Sequence, residues 1–91
     1  MALYLISYDL DKPGQDYPDL IARLKEFGAQ RVLYSEWFLI HSATPVQLRD
    51  DLMRFMDAND RILVVELKNY AAWQRLMIDG NTVKAFFNNA T

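Results

Sequence analysis

The chain has 91 residues, 52% of them hydrophobic and 13% aromatic, with three glycines and three prolines. That composition excludes disorder and collagen-like or low-complexity architecture, and the length suits one domain. Zero cysteines and a single histidine, His41, exclude a disulfide scaffold, a thiolate zinc site and a multi-histidine metal site within one chain. Ten Lys plus Arg against twelve Asp plus Glu give a net charge of −2 and a pI near 5.2, which speaks against broad electrostatic binding of nucleic acid.

Residues 2–9 form an apolar, aromatic run, with Tyr4, Ile6 and Tyr8 on one face and Leu3 and Leu5 on the other. Apolar residues on both faces predict an interior strand. The run ends at Asp9, too short for a signal sequence or a membrane span, and the expected location is cytoplasmic. Asp11 to Asp16 reads as a loop with a Pro-Gly turn. From Tyr17 to Phe27 the apolar positions 17, 20, 21, 24 and 27 make a helical stripe, with Asp19 and Arg23 on the wet side and Gly28 as the stop.

Gln30 to His41 is strand-like, but its alternation breaks phase at Ser35-Glu36, which predicts two short strands joined by a tight turn or bulge. Thr44-Pro45-Val46-Gln47 has capping-box spacing with proline at the first helical position. The helix it opens turns Leu48, Leu52, Phe55 and Met56 inward. Asn59-Asp60 then leads into Arg61 to Leu67, read as a strand buried on both faces. The order strand, helix, strand, strand, helix, strand predicts an α+β, ferredoxin-like βαββαβ core over residues 2–67. Its two helices lie on one face of a four-stranded antiparallel sheet.

The second sheet face needs a cover, from a second copy of the chain, from the C-terminal extension 68–91, or from both. In that extension residues 69–78 read as weakly helical and Asp79-Gly80-Asn81 as a turn. Thr82 to Phe87 reads as a fifth short strand docking at a partner's edge, and the last four residues as frayed.

Asp9 is the sharpest chemical candidate, because a strand end holds a carboxylate rigidly at the sheet margin. One carboxylate binds Mg²⁺ or Mn²⁺ poorly, whereas two brought together across a two-fold axis offer hard oxygen ligands to one ion. The competing reading is that Asp9 caps the next loop. Asp11 reads as a turn opener. Arg31 suits a phosphate or a surface ion pair. Ser35 reads as a turn residue, and without a neighbouring His-Asp series it is no nucleophile. Trp37 and Phe38 suit base stacking or a core, and His41 a strand-end surface residue. Asp50 and Asp51 read as a solvated face served by Arg49 and Arg54. No glycine-rich phosphate loop is present.

Tyr4-Leu5-Ile6-Ser7-Tyr8-Asp9-Leu10 resembles the first strand of the small CRISPR-associated adaptation proteins, the ferredoxin-fold partners of the spacer integrase, which are related to the VapD ribonucleases. Their second strand runs Arg, hydrophobic, two variable positions, Ser, variable, aromatic. Arg31-Val32-Leu33-Tyr34-Ser35-Glu36-Trp37 fits it, and Asp57-Ala58-Asn59-Asp60 before Arg61-Ile62-Leu63-Val64 matches the acidic turn before the fourth strand. The resemblance covers residues 3–67. It implies a homodimer with facing Asp9 residues that hold Mg²⁺ or Mn²⁺ and cut RNA or DNA. Asp9 is then the catalytic metal ligand, and Tyr8, Lys12, Arg31, Ser35 and Trp37 flank the nucleic acid. It also implies a spacer integrase subunit as a partner. Other relatives act as structural bridges without nuclease activity.

The chain departs from the family pattern in three places. The loop after the first strand carries Lys12 alone, Glu36 and Trp37 replace a small-apolar-plus-Phe pair, and the segment beyond Leu67 is longer in helical character. Two expectations therefore stand, a metal-dependent endonuclease and a non-catalytic dimeric adaptor or regulatory module. A third, a small-ligand regulatory domain, has no motif behind it.

Overall fold

The computed structural model of the protein describes residues 1–12, 17–68 and 71–89. Its elements run β1 (Ala2–Asp9), α1 (Pro18–Glu26), β2 (Gln30–Leu33), β3 (Glu36–His41), α2 (Pro45–Met53), β4 (Arg61–Leu67) and α3 (Gly80–Asn89). The four strands form an antiparallel sheet in the order β2-β3-β1-β4, an α+β architecture compatible with the ferredoxin-like arrangement. The phase break is a register shift between Arg31 and Leu33, followed by a turn at Tyr34-Ser35.

Local chemistry accounts for the helix ends. Helix α1 opens on Pro18 and closes in a Schellman motif. Gly28 takes φ 84° and donates to the Lys25 carbonyl at 3.0 Å, while Ala29 donates to that of Leu24 at 3.0 Å. At α2 the capping box forms in full. Thr44 Oγ1 accepts from the Gln47 N–H at 3.2 Å, and Gln47 Oε1 accepts from the Thr44 N–H at 2.9 Å.

Strand alternation divides the core between the two sheet faces. Tyr4, Ile6, Tyr8, Trp37 and Leu39 pack with Leu20 and Leu24 of α1 and Leu48 and Leu52 of α2. On the second face Leu3, Val32 and Phe38 pack with Val83 of α3, and Phe86 and Phe87 meet Phe38 edge-on at 5.6 and 5.9 Å. The cover of that face therefore includes the chain's own C-terminal extension.

The extension differs from its sequence reading. Thr82 to Phe87 is helical, since Val83, Phe86 and Phe87 follow an i, i+3, i+4 pattern that lays three apolar side chains on one surface. Asp79 caps this helix, its Oδ1 accepting from the Thr82 N–H at 2.7 Å and the Thr82 hydroxyl at 2.8 Å. Residues 71–78 contain no helix or strand, and residues 69–70, 90–91 and the Pro-Gly turn at 13–16 lie outside the described residues.

Strand β4 also differs. It is a sheet edge whose second face leaves Leu63 57% and Val65 37% exposed, because α3 packs on β3 and the cluster around Val83 reaches β4 at Leu67. No helix among the described residues is long and apolar enough to cross a membrane.

Candidate functional site at the end of the first strand

Asp9 closes β1 directly opposite Arg61, the first residue of β4. Its Oδ2 lies 3.5 Å from Arg61 Nη1, with both side chains largely exposed at 75% and 83%. By alternation Asp9 shares the second sheet face with Leu3, Leu5 and Ser7. Ser7 donates its hydroxyl to Glu36 Oε2 at 3.0 Å. Ser7, Tyr8, Asp9, Arg61, Ile62 and Leu63 line an open depression of about 200 Å³. An ion pair this exposed is weak, so it leaves the carboxylate able to change partners.

The other expected site residues lie in three places. Tyr8 and Trp37 are core residues on the helix-covered face, 7% and 1% exposed, and the Trp37 indole N–H donates to the Tyr8 hydroxyl at 3.1 Å. Arg31 stands beside Trp37 in register, its guanidinium 4.8 Å from that ring and 5.9 Å from Tyr34's. Tyr8, Arg31 and Trp37 thus come together, but across the sheet from the Asp9 side chain. Ser35 sits in the β2–β3 turn, and its carbonyl accepts from the Tyr8 N–H at 3.1 Å. That bond ties the turn to β1.

Lys12 lies 3.8 Å from Asp57 Oδ2. It belongs to a network that sequence reasoning missed. Asp60 accepts from the Asp11 N–H at 2.7 Å and the Asp57 N–H at 2.6 Å, and the Tyr17 hydroxyl lies 3.2 Å from both the Asp57 and Asp60 carboxylates. The acidic turn is therefore the clasp that holds the loop after β1 against the start of β4. Burial pulls the Asp60 carboxyl upward, but its N–H donors, Tyr17 and Lys12 outweigh that and hold it below the ordinary carboxylate range. The Tyr17 phenol is pushed up to about 12, first by desolvation and then by Asp57 and Asp60. The signal in the sequence was the pair Asp57 and Asp60 around a turn, whose distant partners a local pattern does not name.

His41 ends β3, its Nδ1 accepting from the Ala43 N–H at 2.9 Å and its ring edge-on to Phe27 at 5.2 Å. Arg49 pairs with Asp50 at 2.9 Å and Arg54 with Asp51 at 3.2 Å, as expected, and Asp51 also receives a bidentate pair of hydrogen bonds from Arg23 of α1, both at 2.8 Å.

Among the described residues no group of three or more Asp, Glu or His stands ready to hold a metal ion. A hard divalent cation takes about six oxygen ligands. Among the described residues that line the depression, Asp9 supplies the one carboxylate, and a second copy would raise the carboxylate oxygens to four at most, with water completing the shell. No protein-family profile and no solved structure matches this chain.

Proposed function

We propose that the chain acts as a homodimer in which two Asp9 carboxylates together hold one Mg²⁺ or Mn²⁺ ion and hydrolyse a phosphodiester of RNA or DNA. This is the activity ascribed to some of the CRISPR-associated and VapD-like proteins that it resembles, others being structural bridges without nuclease activity. The observation that carries the reading is the placement of Asp9. It is exposed at the rigid end of an interior strand, on the sheet face where the neighbouring Leu63 and Val65 lack a complete cover. A second copy laid over that strip removes apolar surface from water and brings the two carboxylates toward one axis. In this arrangement α3 borders the interface.

A bound ion supplies Lewis-acid polarisation of the phosphoryl oxygen and a lowered pKa for a coordinated water. The chain's own contributions are narrower. Asp9 holds the ion, and Arg61, 3.5 Å away, is placed to pass from the carboxylate to a phosphate oxygen as substrate enters. Lys12 and Ser35 sit near the same end of β1, while Tyr8 and Trp37 keep that end rigid from beneath. With a net charge of −2 the chain offers no broad electrostatic attraction to nucleic acid, so substrate would be held by the few cations beside Asp9.

The Asp9–Arg61 pair itself favours a second reading. A carboxylate already matched by a guanidinium suits a non-catalytic dimeric adaptor, for example one that bridges subunits of a spacer integrase. Incubating the protein with RNA and duplex DNA in Mg²⁺ or Mn²⁺ separates the two. Cleavage by wild type that disappears in Asp9→Ala supports the nuclease. Equal cleavage by both proteins overturns the role of Asp9, and a stable dimer without cleavage identifies the adaptor.

A further inference from the structure

Residues 71–76 lie over the second sheet face without regular structure, and the strand edge beyond them is tied down where the Met77 N–H donates to the Val32 carbonyl at 2.9 Å. Between this strap and the sheet is a half-open cavity of about 320 Å³, walled by Leu5, Val32, Phe38, Trp73 and Leu76. The Trp73 indole leans on the start of α3, 3.8 Å from where a Cβ on Gly80 would stand. Arg75 bends the strap at a left-handed φ of 55°, a conformation that costs a non-glycine residue free energy and persists only where its surroundings impose it.

One carboxylate reaches this apolar space. Glu36 lines the cavity and is half-buried. Its hydrogen-bond partner is the Ser7 hydroxyl, and no cation of the described residues lies within ion-pair distance of it. A volume of this size with mostly apolar walls and two polar residues, Glu36 and Gln74, matches a small-molecule site. An uncompensated, partly desolvated carboxylate selects a cation.

We propose that the strap cavity binds a small amphipathic monocation, an alkyl or arylalkyl amine. Its apolar body lies between Phe38, Trp73 and Leu76, and its ammonium donates to Glu36. The site adjoins the Asp9 depression through Ser7 but does not use Asp9, and it stands whether or not the protein cleaves nucleic acid.

The test is titration of the full chain with hexylamine, hexanol and hexanoate, followed by tryptophan fluorescence and by calorimetry. Trp73 is 39% exposed and reports on the cavity, while the buried Trp37 supplies a constant background. Hexylamine is expected to bind about fivefold more tightly than hexanol, the scale of one partly screened ion pair, and hexanoate most weakly. Glu36→Gln keeps the shape and the Ser7 hydrogen bond, so it should retain the thermal midpoint and lose the preference for the amine. Equal binding of the three probes, or binding of none, overturns the proposal on wild type alone. An amine preference that survives in Glu36→Gln overturns it as well.

Discussion

The indole N–H of Trp37 donates to the Tyr8 hydroxyl at 3.1 Å, inside a core where neither residue is more than 7% exposed. Tyr8 and Trp37, which the resemblance sets beside a nucleic acid, form a buried polar pair linking β1 to β3. The pair lets a tryptophan and a tyrosine be buried without leaving the indole donor unsatisfied.

Tyr8→Phe tests that pair. The substitution keeps the ring and removes the acceptor, leaving a buried N–H without a partner at a cost of about 1–3 kcal/mol. Urea denaturation should show a lower midpoint with an unchanged slope. A change within the roughly 0.5 kcal/mol typical of surface substitutions contradicts the assignment.

The Arg23–Asp51 bidentate pair joins α1 to α2, with side chains 28% and 23% exposed. The Arg23 hydrogen bonds, foremost, hold the Asp51 carboxyl below its ordinary value. Since the folded pKa is the lower one, the stabilisation is complete above the unfolded carboxylate pKa of about 4 and fades as pH falls through the folded value. Asp51→Asn should lose about 1 kcal/mol at neutral pH, allowing for solvent screening. Its stability should converge with wild type in acid. A deficit that stays constant down to strongly acidic pH contradicts the account.

Tyr17 gives a spectroscopic prediction. Its phenol is pushed up to about 12 by desolvation and by Asp57 and Asp60, so its hydroxyl stays protonated where an ordinary tyrosine ionises. A raised folded pKa means a contribution intact below about pH 10 and lost as pH rises toward 12. In an absorbance titration, Tyr17→Phe should remove an ionisation from the high end of the curve. Loss of a step near pH 10 instead contradicts the network.

The parts of the fold that were legible in the sequence are those fixed by near neighbours. The Thr44–Gln47 capping box, the Gly28 stop and the phase break at Ser35 each depend on a few consecutive residues. Val83, Phe86 and Phe87 read as strand in the sequence because β-branched and aromatic residues favour strands. Their burial on one helical surface against Phe38, with Asp79 as cap, decides otherwise. For β4 the sequence shows apolar residues at both parities, and only the sheet order reveals that one face lies at an uncovered edge. In the candidate site, Asp9 at a strand end was legible. Its pairing with Arg61, and the clasp of Asp60 on Asp11 and Tyr17, join residues more than 40 positions apart, which no local pattern reports.

The central claim is that one divalent ion is shared by two copies of Asp9. Electron paramagnetic resonance of Mn²⁺ titrated into the protein, with sedimentation to follow the dimer, measures this most directly. The account predicts one bound Mn²⁺ per two chains, abolished in Asp9→Asn while the dimer persists. One ion per chain, or Mn²⁺ binding undiminished by Asp9→Asn, contradicts it.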